Sequence, residues 1–373
     1  MKKETEDIKD VITNETGVEK EVKEDAHSGA PLVPSGCLLL NLACSDRASG
    51  AWRQGRMVNI IGDSSSGKSL LTLSSLAEIC ADPAFDDYRL IYDDAEHALD
   101  FDVGKLFGYD LAERLEPPEK DSDGNPVYSE TTHHFQAHIM KFLDEGKPFI
   151  YVLDSFDALG SVEEVELTKK ENKAIEQGKA LPGSYGADKA KHSSRLLRTI
   201  VAALEKTKSF LIVISQTRDN ISPMTFAQKT RAGGKALKFY ASHEIWLAVK
   251  EKLKKTVAGK DYQIGVNIKA KVSKNKLTGK LREVEFPIFY SYGIDDIGAA
   301  LEWLLQTDAI TKSKQTLEIA ELGLSGTKSA IIDKILEDSD LYFKFLDFVE
   351  LQWRNVEEKL EIKRPPKFKR RKR

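Results

Sequence analysis

The sequence has few cysteines, no long apolar run and almost no net charge, and the first two absences exclude whole classes of protein. Its 373 residues include three cysteines, at spacings that suit neither a disulfide framework nor a zinc site: Cys37, Cys44 and Cys80. No apolar run approaches the roughly 18 residues of a membrane-spanning helix, and residues 1–20 hold no apolar signal region. We therefore expect a cytoplasmic protein with no membrane partner.

Charge is balanced over the whole chain but is distributed unevenly along it. Fifty-six basic and 59 acidic residues give a net charge of -3, and this average taken alone argues against a nucleic-acid partner. Residues 1–25 carry nine acids and five lysines, whereas 363–373 carry eight basic residues and no acid, so the rest of the chain has a net charge of -11. We predict a charged N-terminal arm over 1–32, which could dock on another subunit, and a basic tail over 363–373.

The composition and the order of apolar segments predict an α/β fold. Hydrophobic residues make up 41% and charged residues 31% of the chain, as in ordinary globular proteins. Short apolar runs predict buried strands at Met57–Ile61, Leu90–Asp93, Phe149–Leu153, Phe210–Ser215 and Ile245–Val249. Helical periodicity lies between them, at Ser69–Cys80, His133–Glu145 and Ala190–Lys206. This alternation predicts a central, mostly parallel sheet covered by helices.

Other segments depart from that alternation. Residues 116–130 are predicted to form a loop, and 161–189 a long excursion from the sheet. Beyond Tyr292 we expect no further strand but a small C-terminal helical region, with helices over 295–306 and 326–360. An aromatic row on Leu341–Trp353 is expected to be the core of that region.

The most specific single motif is a phosphate loop. Residues 62–69 read GDSSSGKS and match G-x-x-x-x-G-K-[ST], directly after a predicted strand and before a predicted helix. Such a loop surrounds phosphate oxygens with backbone N–H groups at a helix N-terminus. We expect Lys68 to reach the outer phosphates of ATP and Ser69 to bind Mg²⁺. The predicted nucleotide-binding residues are Gly62, Asp63, Ser64, Ser65, Ser66, Gly67, Lys68 and Ser69.

Three more predicted strands end in polar residues, at the edge where ligands bind to parallel sheets. Asp154 is the candidate to hold Mg²⁺, directly or through a bound water. Asp93, Asp94 and Glu96 are all candidates for the base that orients water toward the γ-phosphate, and a solvated acidic turn is the alternative for all three. Gln216 is a candidate sensor of the γ-phosphate.

The segment 217–240 that follows Gln216 is basic. It contains one acid, Asp219, and five basic residues: Arg218, Lys229, Arg231, Lys235 and Lys238. Pro223, Gly233 and Gly234 argue against a simple helix. A basic loop beside a γ-phosphate sensor would suit contact with a nucleic-acid backbone that is controlled by ATP. A solvated loop is the alternative.

Six stretches, in this order, make the combination specific: GDSSSGKS, DAEHALD (94–100), YVLDS (151–155), ISQTR (214–218), GGKALKFYAS (233–242) and KVSKNKLTGK (271–280). Together they resemble the RecA family of homologous-recombination ATPases, a kind of protein that many bacteriophages also carry. The resemblance covers about 33–294. It implies a P-loop NTPase of RecA type over those residues, followed by the helical region 295–362 and the tail.

The resemblance also implies residue roles. Glu96 would be the catalytic base, Asp100 an adenine contact and Gln216 the γ-phosphate sensor. Residues 161–189 and 217–240 would be DNA-binding loops. The family contacts DNA at positions matching Lys191, Arg198, Arg218, Gly233, Gly234 and Lys235, and the basic character of the second loop adds Arg231. The lysines that enter the ATP site of a neighbouring subunit would be Lys274 and Lys276, and the same subunit boundary would include Lys238 and Phe239.

The function implied is that of an ATP-dependent DNA recombinase. It would form a helical homo-oligomeric filament on single-stranded DNA, pair it with double-stranded DNA and promote strand exchange, with ATP and Mg²⁺ as cofactors. The alternatives are a RecA-like helicase, a recombination mediator, or an ATP-sensing DNA-binding protein without strand exchange. Neutral net charge is compatible with DNA binding if positive charge is confined to two loops and one end. The basic tail is expected to recruit DNA, and a tail that only aids solubility or has no role is the alternative.

One further constellation has metal-ligand spacing. His134 and His138 are separated by four residues on a predicted helix, but no carboxylate at a similar spacing completes a site. We therefore expect surface or half-buried histidines there. His97 is expected to pack against its neighbours or to orient the strand end that precedes it, and not to act as a ligand.

Overall fold

The computed structural model describes residues 30–162, 164–165, 188–219, 229–231 and 234–364. At 188–191, 218, 219, 229–231, 234 and 235 it describes the backbone alone. Within these residues the helices are α1 (Leu38–Ser45), α2 (Lys68–Ala81), α3 (Val103–Phe107), α4 (Tyr109–Arg114), α5 (Thr132–Glu145), α6 (Asp188–Thr207), α7 (Gly234–Tyr240), α8 (Asp296–Gln306), α9 (Lys328–Glu337) and α10 (Ser339–Leu360).

The strands before the middle of the chain are β1 (Leu32–Val33), β2 (Trp52–Arg53), β3 (Met57–Gly62), β4 (Arg89–Asp94), β5 (Leu115–Glu116), β6 (Glu119–Lys120), β7 (Pro126–Val127) and β8 (Phe149–Asp154). Those that follow are β9 (Phe210–Asp219), β10 (Lys229–Arg231), β11 (His243–Val257), β12 (Lys260–Asn275), β13 (Glu283–Phe289), β14 (Gly293–Ile294), β15 (Thr311–Ser313), β16 (Thr316–Ile319) and β17 (Leu324–Gly326).

One large sheet organises the fold, with strand order β14-β13-β12-β11-β3-β9-β8-β4-β5 and β10 paired to β9. The strands from β11 to β5 are parallel, whereas β11 to β14 are antiparallel to one another. The register places Gly62 beside Gln216 and Asp94 beside Asp154. The predicted α/β class with a mostly parallel central sheet is confirmed, and the polar strand ends meet at one edge.

The sheet is buried on both faces because its central strands are apolar at most positions. Side chains of β9 alternate between two cores: Ile212 packs with α1, α2 and the C-terminal helices, whereas Val213 packs with α5, α6 and α7. Every residue of β3 and of β8 is buried. A strand covered on both faces needs a continuous apolar run, which is why the sequence pattern identified these strands.

The predicted helices and buried strands are confirmed with small shifts at their ends, except that the helical segment 326–360 is divided at Asp338 into α9 and α10. One strand is far longer than expected. The run Ile245–Val249 lies inside β11, which spans His243–Val257 and forms a long antiparallel hairpin with β12. Beyond Leu247, β11 has no parallel neighbour in the described residues, and most of its side chains are exposed. The exposed part alternates little in polarity, so the apolar-run criterion missed it.

Three other expectations are wrong in part. Residues 116–130 contain the hairpin β6–β7, closed by a turn in which Asp121 accepts from the backbone of Asp123 and Asn125. In the segment 217–240, β9 runs to Asp219 and pairs with β10, and Gly234–Tyr240 forms α7. Strands also continue past Tyr292, as β14 and a three-stranded antiparallel sheet of β15, β16 and β17. These strands are two to four residues long, too short to show a period.

The C-terminal helices are attached through the aromatic row. Phe345, Phe348 and Trp353 are buried, as predicted for a core, whereas Phe343 is exposed. The Trp353 indole N–H donates to Asp46 at 3.0 Å, and the Arg282 guanidinium stacks over its ring. This contact ties α10 to the end of α1. No helix in the described part of the chain combines the length and apolarity needed to cross a bilayer.

Two carboxylates from different helices meet the N-terminus of α1. Asp296 of α8 accepts from the Leu38 N–H at 2.7 Å, and Glu78 of α2 accepts from the Gly36 N–H at 3.3 Å. The helix dipole favours negative charge there, but burial is the larger effect and raises the pKa of Glu78 to about 8 and of Asp296 to about 6. The negative charge of Asp296 adds to the rise at Glu78.

We predict that Glu78→Gln stabilises the protein at alkaline pH. The folded state holds a proton on Glu78 that the unfolded chain releases above pH 4.5, so wild-type stability falls as pH rises toward about 8. The amide of Glu78→Gln does not titrate, so the stability of the variant does not fall for this reason as the pH rises. Thermal unfolding should give similar midpoints for the two proteins at pH 5 and a higher midpoint for the variant at pH 9, with each kcal/mol worth about 1 to 2 °C in a chain of this length.

The matched change Glu113→Gln removes an exposed carboxylate on α4 and controls for the loss of one charge. A midpoint of Glu78→Gln that stays below wild type at pH 9 would contradict the account of a crowded, half-buried acid.

Candidate functional site

The phosphate loop joins β3 to α2, and its glycines are required by close packing. Gly67 precedes α2 with a positive φ of 83°, and a Cβ there would lie 2.6 Å from Ile288 Cδ1. A Cβ on Gly62 would lie 2.8 Å from the Leu247 carbonyl oxygen. The first N–H groups of α2 have no partner within the helix and so remain available to an anion. The sequence-predicted residues 62–69 are therefore assembled as a cradle.

Two polar groups of the loop fit a phosphate ligand. The Lys68 ammonium lies in the loop and donates to the Asp63 carbonyl at 2.7 Å. Burial lowers the pKa of Lys68, although the charges of Asp154 and Glu96 act in the opposite direction. The Ser66 hydroxyl is buried and has no hydrogen-bond partner among the described residues. A buried polar group without a partner is costly, and a phosphate oxygen would satisfy it.

The predicted metal-binding residues are in contact. Ser69 Oγ donates to Asp154 Oδ2 at 2.6 Å, and the Tyr92 hydroxyl donates to the same oxygen at 2.7 Å. Burial raises the pKa of Asp154, while these two donors act to lower it. A hydroxyl and a carboxylate oxygen at the end of the phosphate loop are the hard ligands that Mg²⁺ takes beside nucleotide phosphates. The arrangement of one hydroxyl and one carboxylate fits the ion.

The structure distinguishes the three acids that follow β4. Asp93 is fully buried and accepts from the Tyr151 hydroxyl at 2.6 Å and from the Ser129 hydroxyl and N–H, so it is a structural residue. Asp94 accepts from the N–H groups of residues 98 and 99 and shapes the loop. Glu96 is exposed, beside Lys68 and Asp154, and only it is free to reach a water. We therefore no longer consider Asp93 and Asp94 as candidates for the base.

Glu96 is held by two hydrogen bonds to one of its oxygens. Ser155 Oγ donates to Glu96 Oε1, and Gln216 Nε2 donates to the same atom at 2.8 Å. Within the described residues Oε2 receives no hydrogen bond. The carboxylate is thus oriented by two neighbours and keeps one oxygen for a water molecule, which is the geometry that a general base requires.

Gln216 is also part of a second connection between β9 and the phosphate loop. Its N–H donates to Asp157 Oδ2 at 2.7 Å, and the next residue, Thr217, donates through its hydroxyl to the Asp63 carboxylate. The same Thr217 is paired with Arg231 in the β9–β10 ladder. Hydrogen bonds therefore run from Glu96 and the phosphate loop into the hairpin that begins the basic segment.

A family model described as the RecA N-terminal domain matches residues 15–295. The chain belongs to the RecA family. Curated relatives named Protein RecA include those of Streptococcus agalactiae, 28% identical over 291 residues (78% of this chain and 69% of the relative); Enterococcus faecalis, 29% over 295 residues (78% and 74%); and Caulobacter vibrioides, 28% over 335 residues (89% and 84%). Membership of the RecA family supports a recombinase-type function and the use of ATP.

The two lysines that the RecA resemblance assigns to a neighbouring ATP site lie at the opposite edge of the sheet from this chain's own phosphate loop. Asn275 pairs with His243, which pairs with Val58, about 13 Å along β3 from Gly62. Lys276 follows Asn275, and its side chain is exposed. Lys274 instead donates to the carbonyls of Lys238 and Phe239 in the last turn of α7. Lys274 therefore fixes α7, whereas Lys276 is available to a ligand.

The subunit-boundary and DNA-binding residues are described to different extents. Phe239 is 72% exposed, and Lys238 is exposed beside it. Arg198 is exposed on α6 and its guanidinium reaches the Tyr240 hydroxyl at 3.3 Å. The backbones of Lys191, Arg218, Arg231, Gly234 and Lys235 lie in α6, β9, β10 and α7, but their side chains lie outside the described residues. Gly233 and most of the two predicted DNA loops also lie outside them. Asp100, the predicted adenine contact, lies exposed in the loop after β4.

The sequence reasoning missed several residues of the site. Ser155, Tyr92, Asp157 and Thr217 act through hydrogen bonds to residues that it did find, and each lies one to four positions from one of them. The stretches YVLDS and ISQTR contain Ser155 and Thr217, so the signal was present as part of a motif. Nothing in the spacing indicated that their hydroxyls turn toward Glu96 and Asp63.

The histidine pair is not a metal site. His138 is buried, with Nδ1 2.9 Å from Ser129 Oγ and Nε2 3.3 Å from Glu119 of the β6–β7 hairpin. His134 is exposed. No group of three or more His, Cys, Asp or Glu side chains in the described ranges is placed to hold a metal ion. His97 packs edge-on against Tyr128.

Proposed function

We propose that this protein is a DNA-dependent ATPase that assembles on single-stranded DNA as a helical filament and promotes homologous pairing and strand exchange. The observation that supports it most directly is the hydrogen-bonded path Glu96–Gln216, continued by Thr217 into the β9–β10 hairpin. This path joins a candidate base to the segment that the RecA resemblance assigns to DNA. A change at either end would therefore alter the other.

The chain's own residues divide the work of hydrolysis. Glu96 Oε2 accepts a proton from the attacking water, while Ser155 and Gln216 keep the carboxylate aligned. Lys68 and the N–H groups of α2 hold phosphate oxygens, and Ser69 with Asp154 would hold Mg²⁺, which neutralises charge on those oxygens. In this mechanism Gln216 also contacts the γ-phosphate. When the γ-phosphate leaves, Gln216 loses that contact and keeps only its hydrogen bond to Glu96, so the position of β9 changes with the state of the nucleotide.

Assembly would complete the site. Lys276 lies too far along the sheet to serve the phosphate loop of its own chain, so it would act on the ATP of the next subunit. A cation supplied by a neighbour stabilises the charge that develops on the transferred phosphoryl group. Head-to-tail contacts that do not close produce a helix. Hydrolysis would then be tied to filament formation, and DNA that promotes the filament would stimulate it.

Electron microscopy with single-stranded DNA and a slowly hydrolysed ATP analogue tests the proposal, together with steady-state ATPase rates with and without DNA. We expect an extended right-handed filament and a rate that rises strongly with DNA. Closed rings would indicate a helicase, and no assembly would indicate an ATP-sensing DNA-binding protein. A rate that is independent of DNA at high protein concentration would count against the proposal, as would filaments that do not exchange strands, which would indicate a mediator.

A further inference from the structure

The hairpin β6–β7, to which the proposed function assigns no role, lies against the turn that follows β4 and carries Glu96. Tyr128 directly follows β7, and its ring packs edge-on against the His97 ring, with centroids 5.4 Å apart at an interplanar angle of 74°. Burial raises the pKa of the Tyr128 phenol, and the charges of Asp94 and Asp93 at the strand end raise it further. A side chain next to the hairpin therefore contacts the immediate neighbour of the candidate base.

The backbone around Tyr128 is held on both sides. Before it, Val127 pairs with Glu119 in the hairpin ladder. After it, Ser129 is 1% exposed and donates through its N–H and its hydroxyl to the Asp93 carboxylate, at 2.8 and 2.6 Å. Hydrogen bonds to a buried carboxylate are costly to break, because the charge would be left without donors. The Tyr128 ring thus extends from a fixed point at the end of the sheet.

The turn that carries Glu96 has a strained backbone. His97 has a positive φ of 51°, in the left-handed region that most side chains adopt only at a cost. The N–H groups of Ala98 and Leu99 donate to the Asp94 carboxylate at 3.2 and 3.0 Å and fix the far side of the turn. Relaxation at His97 would move Glu96, which precedes it. A contact that holds the His97 ring therefore also holds the candidate base in place.

We propose that Tyr128 is a positioning residue for ATP hydrolysis, whose ring contact with His97 keeps the turn in the conformation from which Glu96 can take a proton from water. Ser155 and Gln216 orient the Glu96 carboxylate, and the ring contact holds the backbone from which that side chain extends. The hairpin β6–β7 is then a brace for the turn. The role of Glu96 as the base rests on the proposed function, whereas the effect of Tyr128 on the turn does not.

Amide hydrogen exchange of residues 94–100, followed by mass spectrometry without nucleotide, tests the brace directly. Loss of an edge-on ring contact in Tyr128→Leu should speed the exchange of the turn amides about twofold to tenfold. Tyr128→Phe keeps the ring and should exchange at the wild-type rate. The control Tyr262→Leu makes the same change at an exposed tyrosine of β12 and should not affect the turn. Exchange that is unchanged in a folded Tyr128→Leu variant would overturn the proposal.

Steady-state ATPase rates at saturating DNA test the consequence for catalysis. Tyr128→Leu should lower kcat about tenfold to a hundredfold, the effect of a small displacement of a catalytic group, and leave the KM for ATP near wild type. Tyr128→Phe should retain most of kcat. In a Glu96→Gln background, Tyr128→Leu should cause no further loss, because the base that it positions is absent. A further loss of the same size would show that Tyr128 acts through another group and would refute its proposed role.

A second variant removes the other ring of the contact. His97→Asn changes an exposed side chain, and asparagine tolerates a positive φ, so the variant should fold, which thermal unfolding would verify. It should reproduce both effects of Tyr128→Leu, and normal exchange with a normal kcat would overturn the proposal even if Tyr128→Leu does not fold. If the wild type hydrolyses no ATP, the proposed function fails; faster exchange in the variants would still support the brace, and unchanged exchange would refute it as well.

Discussion

Replacing Glu96 with Gln should reduce the rate of ATP hydrolysis by about a hundredfold to ten-thousandfold, the usual contribution of a general base. The amide keeps the shape of the side chain and still accepts from Ser155 through its oxygen, but it cannot take a proton from water. Lys68, Ser69 and Asp154 are untouched, so ATP should still bind. The variant should also form a filament with ATP itself that persists, because the state that follows hydrolysis is not reached.

Asp93→Asn is the matched control, since it makes the same chemical change three positions earlier. Asp93 accepts hydrogen bonds from Tyr151 and Ser129 in the core, and an amide nitrogen in place of one oxygen would face a donor. The control should lower the unfolding temperature and leave the rate per folded molecule near wild type. If Glu96→Gln retains most of the wild-type rate while its fold is intact, another group is the base.

The contrast between these two acids shows what the sequence could and could not predict. Both follow the same apolar strand, and strand periodicity places both at its end. Their roles depend on which partners the fold brings near: Asp93 meets Ser129, which lies 36 residues away, and Glu96 meets Gln216, 120 residues away. No pattern within one strand contains that information. The family resemblance singled out Glu96 because a family motif carries long-range information that the local pattern does not; its role as the base stays a prediction.

The same limit explains the errors in the fold. Buried strands such as β3 and β8 are apolar at most positions and were found. The hairpin of β11 and β12 is instead stabilised by backbone pairing, and most side chains of its outer part are exposed. The strands β15, β16 and β17 alternate over too few residues to reveal a period. A strand that is stabilised mainly by pairing with the next strand in sequence does not need a buried apolar face. Its sequence therefore shows only a weak hydrophobic pattern.

The position of Lys276 leads to the second large expected effect. Lys276→Ala and Lys68→Ala should each lose nearly all DNA-stimulated ATPase activity. The first variant lacks the cation that a subunit supplies to its neighbour's ATP, and the second lacks the lysine that binds the phosphates of its own ATP. Lys276 is the better residue to change than Lys274, because Lys274 also holds the last turn of α7. Lys276 contributes its N–H to the Ser242 carbonyl, a bond that alanine keeps.

Mixing the two inactive variants should restore activity, since each supplies what the other lacks. In a filament assembled at random from equal amounts, about a quarter of the boundaries would join an intact phosphate loop to an intact Lys276, so about a quarter of the wild-type rate is expected. Lys68→Ala mixed with the Lys68→Ala/Lys276→Ala double variant has no such boundary and is the control. If Lys276 served its own chain, no boundary would recover, because every subunit would still lack one of the two groups. The restored ATPase activity is therefore expected because the strand register places Lys276 about 13 Å or more from the phosphate loop of its own chain.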